Sequence, residues 1–269
     1  MNESKPRKPY PTDTKDNEWK QIEDIIPQEK TGGRESKHSK RELFNAMLYL
    51  LRAGCSWRML PHDFPPAKTV YHYFNLWSKE GIFEELNNKL RVDLRRLESR
   101  EDNPSAGIID SQSVKTVDLG GDEKGYDAGK KVKGRKRHLL VDTMGLIIQV
   151  IVHSASIQDR DGAKLLLDRV KSKFLKRLKK IWVDGGYAGA LIEWVKKKLN
   201  IKLEVVKREE GAKGFQLVKR RWVVERTLGW LNKQRRLSKD YEVLTRNSES
   251  MVYLAMISIM TKRIYSNYT

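Results

Sequence analysis

Cysteine is almost absent from this sequence of 269 residues, in which Cys55 stands alone. A single thiol excludes an intramolecular disulfide and any zinc site built from several cysteines. Long hydrophobic runs are also missing, because the longest candidate, residues 251–260, contains Ser258 and falls short of the roughly 20 residues that span a bilayer. The first residues contain no apolar segment typical of a secretory signal. We therefore expect a cytoplasmic protein with no membrane partner.

Acidic residues are also in short supply, since 35 Asp and Glu face 54 Lys and Arg and leave a formal net charge of +19. An excess of this size favours a polyanionic partner, because each phosphate neutralised by Lys or Arg releases condensed counterions. Apolar residues make up 39% of the chain, which is enough for a buried core. The composition thus predicts a folded nucleic-acid-binding protein, without distinguishing a binding protein from an enzyme.

Residues 1–100 show the apolar spacing of helices. The period predicts helices over residues 17–26, 40–53, 69–79 and 82–97. Ser39 stands three residues before Glu42, which is the spacing of a capping box. A helix, a tight turn and a later helix carrying Tyr71 and His72 are compatible with a helix-turn-helix module that reads DNA. An all-helical packing module with its aromatic residues in the core fits the pattern equally well.

A polar, proline-containing break over residues 101–105 is the best candidate for a domain boundary, and it divides the chain into residues 1–100 and 101–269. After it, strand-like runs come first and then alternate with helices, which predicts an α/β domain with a mixed sheet flanked by helices. The predicted strands cover residues 106–109, 135–144, 146–155, 181–184 and 203–206, and the predicted helices cover residues 159–174, 188–199, 217–237 and 251–264. Asp142 is predicted in a hairpin turn, Asp159 and Asp161 as helix caps, and Ser248 as the cap of the last helix.

Three acidic residues stand next to apolar segments, where an acid is costly unless something neutralises it. Asp110 and Asp184 each end a short apolar strand, and Glu225 lies beside the apolar stripe of a helix. If the three converge, Mg²⁺ would suit such an oxygen-only site, and two ions could activate a water or a 3′-hydroxyl for attack on a phosphodiester. Each acid also has an ordinary structural interpretation, as a turn former, a helix cap or an ion-pair partner.

Five strings of this sequence closely resemble transposases of the insertion-sequence-five family, which belong to the DDE group with an RNase H-like catalytic core. The strings are GCSWRMLPHDFPP at residues 54–66, DSQSVKT at 110–116, GYDAGKKVKGRKRHLLVDTMG at 125–145, VDGGYAG at 183–189 and RRWVVERTLGWL at 220–231. They occur in order between residues 18 and 246, which is nearly the whole chain. The resemblance implies an RNase H-like core preceded by a helical DNA-binding domain.

The resemblance also implies a function, namely a transposase that binds the terminal inverted repeats of an insertion sequence, cleaves the DNA and joins it to a target. Asp110, Asp184 and Glu225 would be the catalytic, metal-binding triad, with Mg²⁺ or Mn²⁺ as the cofactor. Double-stranded DNA would be the partner of a homo-oligomer in the bacterial cytoplasm and nucleoid. A nuclease without strand transfer and an inactive DNA-binding protein are the alternatives. The helical module argues against the first, and the presence of all three acids argues against the second.

A set of residues is predicted to contact DNA. The run over residues 130–137 fits a phosphate clamp, although a solvated loop is the ordinary interpretation of such charge. Arg221 lies four residues before Glu225 and so matches the family signature around the glutamate, whereas the Tyr and Lys positions of that signature fall on Val218 and Asn232, with Lys233 as a substitute. The predicted DNA contacts are Tyr71, His72, Lys131, Lys133, Arg135, Lys136, Arg137, Tyr187, Arg221 and Lys233.

Overall fold

Six strands form one mixed sheet in the computed structural model of the chain, which describes residues 7–27, 37–117, 121, 123–206 and 220–266. The strands are β1 (Ala106–Lys115), β2 (Gly125–Asp127), β3 (Val132–Asp142), β4 (Ile147–Ser154), β5 (Lys180–Val183) and β6 (Lys202–Val205). β1 is central, with β3 antiparallel on one side and β5 parallel on the other. β6 continues the parallel side, and β4 and β2 pair with the far edge of β3. This sheet confirms the predicted α/β class.

Helices cover both faces of the sheet. They are α1 (Asp16–Lys20), α2 (Lys40–Ala53), α3 (Ala67–Glu80), α4 (Ile82–Leu97), α5 (Asp159–Arg169), α6 (Ser172–Leu175), α7 (Ala190–Leu199), α8 (Trp222–Asn232) and α9 (Thr245–Ser266). Strand alternation divides the apolar residues between two cores. Ile109 and Leu140 pack with α5 and α7 on one face, whereas Ile108 and Leu139 face α4 and α9 on the other.

The helices before residue 101 share a hydrophobic core with the sheet. Buried residues of α2, α3 and α4 belong to the same apolar cluster as Ile108 of β1 and Leu254 of α9. A buried ion pair of 2.6 Å joins Arg95 of α4 to Asp142 in the β3–β4 turn. The predicted boundary near residue 100 therefore marks a change of secondary structure between two parts that pack on each other.

Several helix ends agree with the sequence. The Glu42 backbone N–H donates to the Ser39 hydroxyl at 3.2 Å, and α2 ends at Gly54, whose φ is +73°. Asp142 occupies the predicted hairpin turn, where its carboxylate accepts the backbone N–H groups of Met144 and Leu146. Helix caps and turns depend on interactions between residues a few positions apart, and they are therefore the features that this sequence predicts best.

Other element boundaries differ from the predictions. The connection between α2 and α3 runs over residues 54–66 and contains a 3₁₀ turn, and α3 begins at Ala67, two residues before the predicted start at residue 69. α1 ends at Lys20 rather than at residue 26, and the helix predicted over residues 159–174 is interrupted at Val170.

The two C-terminal helices also differ from the predictions. The helix predicted over residues 217–237 is observed as α8 followed by a 3₁₀ turn at Arg235–Leu237, with residues 217–219 outside the described residues. α9 begins at Thr245, so Ser248 lies inside it as a buried residue that donates to Asp240 instead of capping the helix. In the described part of the chain, every helix falls short of the length or the apolar character that crossing a membrane requires.

Candidate active site

Asp110 lies in β1, and Asp184 directly follows the neighbouring parallel strand β5. The pairing of β1 with β5 aligns Ile108 with Trp182, and each aspartate follows its aligned residue by two positions. Because neighbouring strands are about 4.8 Å apart, the two acids lie near each other, and the charge of Asp184 raises the pKa of Asp110. The strand predicted to end before Asp110 is longer than expected, since β1 continues to Lys115, whereas Asp184 directly follows the end of β5.

Asp110 is largely enclosed by the fold. The pKa of its carboxyl group is raised to about 6, mainly by burial; the Ser111 backbone N–H and the Arg221 guanidinium lower it, and the charge of Asp184 raises it. The Ser111 N–H donates to Oδ1 at 2.7 Å. Burial is the largest effect on this pKa, so the neighbouring donors and positive charge do not fully stabilise the ionised carboxylate. A bound cation would stabilise it.

Asp184 and Glu225 meet at one guanidinium. The Arg221 Nη2 atom lies 3.9 Å from Asp184 Oδ2 and 3.2 Å from Glu225 Oε1. Arg221 immediately precedes α8, and Glu225 lies one helical turn later on the same face. Asp184 also accepts the Gly186 backbone N–H at 2.8 Å, so it caps the 3₁₀ turn Gly185–Tyr187 as well. Asp184 is thus a helix cap and Glu225 an ion-pair partner, as their ordinary structural interpretations predict, and the two acids also lie close to the same guanidinium.

The position of α8 is set by the turn between β3 and β4. Thr227 donates to the Gly145 carbonyl at 2.8 Å, and Arg226 donates to the Met144 carbonyl at 2.9 Å. Gly145 has a φ of +83°, and a Cβ atom there would lie 2.7 Å from the Thr227 hydroxyl. A glycine is therefore required for the close approach between this turn and α8, the helix that carries Glu225.

The chemistry of the acids suits a hard divalent cation, which prefers oxygen ligands. The Asp110–Asp184 pair supplies adjacent carboxylates, and the raised pKa of Asp110 shows that its charge needs a counterion. Within the described ranges, however, no three His, Cys, Asp or Glu side chains are grouped closely enough to hold a metal ion. Instead of the predicted group of three acids, the structure contains two neighbouring aspartates, and Glu225 is linked to Asp184 by the guanidinium of Arg221, which lies near both.

Comparison with known proteins assigns the chain to a family. Residues 101–260 match the family described as "Transposase DDE domain". The chain belongs to this family. Residues 14–87 match a second family, described as "Putative transposase of IS4/5 family". The β1–β5 acids and the mixed sheet lie within the DDE domain, in agreement with the RNase H-like fold that the sequence resemblance implies.

Two curated relatives match shorter stretches. A Burkholderia cepacia protein named "Putative transposase for insertion sequence element IS402" is 30% identical over 115 residues, which cover 40% of this chain and 54% of the relative. The "Uncharacterized protein y4sN" of Sinorhizobium fredii is 26% identical over 72 residues, which cover 27% of this chain and 58% of the relative. The chain thus spans little more than half the length of these relatives.

The basic run of the DDE domain is mostly strand β3, and two of its arginines are buried. The Arg135 guanidinium donates to the Glu242 and Val243 carbonyls at 2.7 and 2.8 Å, and Arg137 donates to the Leu237 and Lys239 carbonyls at 2.8 and 3.0 Å. The prediction that Arg135 and Arg137 contact DNA is wrong, because their donors are used to fix the chain between α8 and α9.

Lys136 points to the other face of β3 and is buried as well. Its ammonium lies 3.0 Å from Asp159 and 3.3 Å from Asp127, and it donates to the Ile157 carbonyl. Asp159 therefore serves as the partner of Lys136 rather than as the predicted cap of α5. Burial alone would raise the pKa of Asp127, but bonds from Ser113 and the Lys130 backbone, together with Lys136, lower it to about 2.

This network continues beneath Asp110, and the sequence analysis missed it. Lys130 donates to the Ser111 carbonyl and hydroxyl, and that hydroxyl donates to Asp159 at 2.9 Å. His138 and His153 stack beside it with ring nitrogens 2.8 Å apart, and burial lowers the pKa of both imidazoles. The sequence feature that could have indicated this network is the position of the basic run within a predicted strand. Side chains of a strand alternate between two faces, and a central strand of a sheet is covered on both faces, so its basic residues need buried partners.

Tyr187 was predicted on the DNA-handling surface, and the structure contradicts this. The side chain is fully buried and packs edge-on against His138. Burial, followed by the charges of Asp110 and Asp159, raises the pKa of the phenol well above its ordinary range. Tyr187 therefore supports the acids from behind and lies out of reach of a DNA strand.

The remaining predicted contacts are accessible. Lys131, Lys133 and Lys233 are exposed, and none of the three pairs with a carboxylate in the part of the chain that the structure describes. Tyr71 and His72 lie on the exposed side of α3, where Tyr71 packs edge-on against Trp57 with ring centroids 5.1 Å apart. Val218 lies outside the described residues.

Proposed function

We propose that the protein is a DNA transposase that cuts at the ends of an insertion sequence and joins them to target DNA. The observation that carries the proposal is that Asp110 in β1 and Asp184, directly after the adjacent parallel strand β5, lie near each other in a DDE domain. Glu225 completes the set through Arg221, which lies within ion-pair distance of both Asp184 and Glu225.

Asp110 and Asp184 would hold divalent cations, and Glu225 would contribute once Arg221 moves aside. Mg²⁺ or Mn²⁺ at this place supplies charge for activating the attacking oxygen and stabilising the leaving oxygen of a phosphodiester. Within this chain, Arg221 would then donate to a non-bridging phosphate oxygen, because a guanidinium forms charge-assisted bonds to phosphate. The first attack, by water, frees a 3′-hydroxyl, and the second, by that hydroxyl, joins the strand to the target.

Two surfaces would bind the DNA. Lys131, Lys133 and Lys233 are exposed and suit phosphates of any sequence. Tyr71 and His72 on α3 suit recognition of the terminal repeats, since a helix fits the major groove. Cutting both ends of an element within one assembly calls for a homo-oligomer on DNA.

The test uses the purified full chain, Mg²⁺, and DNA that carries the inverted repeats flanking the reading frame. Cleavage at the repeat end together with joining to a target plasmid is the expected result. Cleavage without joining would instead identify a nuclease, and binding without cleavage would identify an inactive DNA-binding protein. Either of these two results would overturn the proposal.

A further inference from the structure

A groove of about 440 Å³ runs along the second half of β1, where this strand extends past the end of β5. Its walls are polar, and its floor is formed by two valines. The lining residues are Gln112, Ser113, Val114, Lys115, Val132, Asn232, Ser238 and Lys239. None of the groove residues belongs to the set predicted from the sequence to contact DNA.

Backbone pairing holds the groove open in a fixed shape. The Asp240 backbone N–H donates to the Lys115 carbonyl at 2.8 Å, and the Val117 N–H donates to the Asp240 carbonyl at 3.2 Å. At the other side, the Gln112 and Asn232 amides bond at 2.9 Å and tie β1 to the end of α8. The groove is therefore rigidly connected to the helix that carries Glu225.

The groove carries uncompensated positive charge. Lys115 and Lys239 are both exposed, and neither forms an ion pair within the described ranges of the chain. Two nearby acids in the part of the chain that the structure describes are already engaged, since Asp127 pairs with Lys136, and Asp240 pairs with Arg135 and accepts from Ser248. Two free ammonium groups among amide and hydroxyl side chains are the usual ligands of a phosphate backbone.

We propose that this groove binds the phosphodiester backbone of the DNA strand about five nucleotides from the scissile phosphate, through Lys115 and Lys239. This inference rests on the proposed function. The spacing follows from the fold, because the five residues from Asp110 to Lys115 extend about 16 Å along β1 at about 3.3 Å each. A DNA duplex whose axis runs parallel to β1 rises about 3.4 Å per base pair, so this length corresponds to about five nucleotides of one strand.

The first test is a salt titration of DNA binding without divalent cations, using Lys115→Gln combined with Lys239→Gln. Each lost phosphate contact should reduce the log–log slope by about 0.9, and affinity at low salt should fall roughly tenfold. Lys176→Gln with Lys197→Gln is the matched control, since it removes the same charge at exposed positions near the opposite end of the sheet. This control should have a clearly smaller effect on the slope.

Two further measurements distinguish a lost phosphate contact from a variant that binds poorly because it is misfolded. The Lys115→Arg, Lys239→Arg variant should retain the wild-type slope, because it keeps both charges. A neutral methylphosphonate placed about five nucleotides from the cleavage site should weaken binding by the wild-type protein but add little to the loss in the glutamine variant.

Two outcomes would overturn the groove proposal: a glutamine variant with the wild-type slope, or methylphosphonate losses that add fully in that variant. Failure of the proposed function is distinguishable from these outcomes. In that case the wild-type protein itself would show no salt-dependent binding to end-bearing DNA, or would bind it without cutting it when Mg²⁺ is added.

Discussion

At the scale of single residues, the environment of a side chain decides its role more than its type does. Asp110 and Asp184 could be selected as candidate site residues because an acid directly after a few apolar strand residues is a local pattern, although β1 continues past Asp110 to Lys115. Arg135 and Arg137 could not be assigned correctly, because their partners are backbone carbonyls 100 to 108 residues away in the chain. A charge run in a sequence does not reveal that strand pairing turns it inside the molecule.

Burial of Asp110 predicts a pH-dependent stability. Its pKa rises from 3.8 in the unfolded chain to about 6 in the fold, so between these values the folded protein keeps a proton that the unfolded chain loses. The free energy of unfolding therefore falls as pH rises through this window and stays lowered above it. Asp110→Asn should be more stable than wild type by about 1–3 kcal/mol near pH 7.5 and equal to it near pH 4.

Urea denaturation in EDTA at the two pH values measures this difference. Asp24→Asn, which changes an exposed acid, should match wild type at both values. Equal stability of Asp110→Asn and wild type at the higher pH would show that the fold compensates the carboxylate fully.

The buried arginines predict a separation of stability from DNA binding. Arg137→Met should lower the free energy of unfolding by about 2–4 kcal/mol, because it removes the donors of the Leu237 and Lys239 carbonyls. Lys133→Gln, at an exposed position four residues earlier, should change stability by less than about 0.5 kcal/mol while weakening DNA binding. Chemical denaturation and a gel shift on both variants decide the matter, and a stable Arg137→Met protein with weakened binding would restore the clamp interpretation.

At the scale of elements, the helices with strong periodicity could be predicted, and those governed by distant contacts could not. α2 and α4 follow their apolar stripes and their caps. α9 starts earlier than its apolar run because Ser248 and Glu249 are buried by bonds to Asp240, Arg169 and Val152 rather than exposed at a cap. The place of α8 is likewise set by a hairpin turn distant in sequence.

The docking of α8 predicts that Gly145 controls the site from a distance. Gly145→Ala should cost about 1–3 kcal/mol, since the alanine would adopt a positive φ and press on Thr227. Cleavage should fall with it, because Glu225 depends on this contact. Gly229→Ala is the control in α8. A Cβ atom at Gly229 would have no other atom within 4 Å, so this substitution should stabilise the protein slightly, by about 0.5–1 kcal/mol.

Denaturation and cleavage assays on the two alanine variants give the comparison. A Gly145→Ala protein as stable and as active as Gly229→Ala would show that the turn does not position α8.

At the scale of the whole molecule, the N-terminal helices and the DDE domain pack into one structure. Beyond the shared core, Arg236 pairs with Glu242 at 2.8 Å and donates to the Cys55 carbonyl at 2.8 Å, so the segment after α8 holds the loop before α3. The sequence predicted a change from helical to strand periodicity near residue 101, but no local pattern shows that the residues on either side share apolar contacts.

A shared core predicts one cooperative unfolding transition for the full chain. In scanning calorimetry, the calorimetric and van't Hoff enthalpies should agree, since breaking either part exposes the apolar residues of both. Two resolved transitions would mean that the helical part and the DDE domain unfold independently.

The account depends most on Asp110, Asp184 and Glu225 acting as one catalytic set, and cleavage of end-bearing DNA in Mg²⁺ tests this most directly. Asp110→Asn, Asp184→Asn and Glu225→Gln should each lose more than about 100-fold in rate, while DNA binding stays near wild type. Asp168→Asn, at an exposed acid paired with Lys198, should cleave normally. Wild-type cleavage by any one of the first three variants would contradict the account.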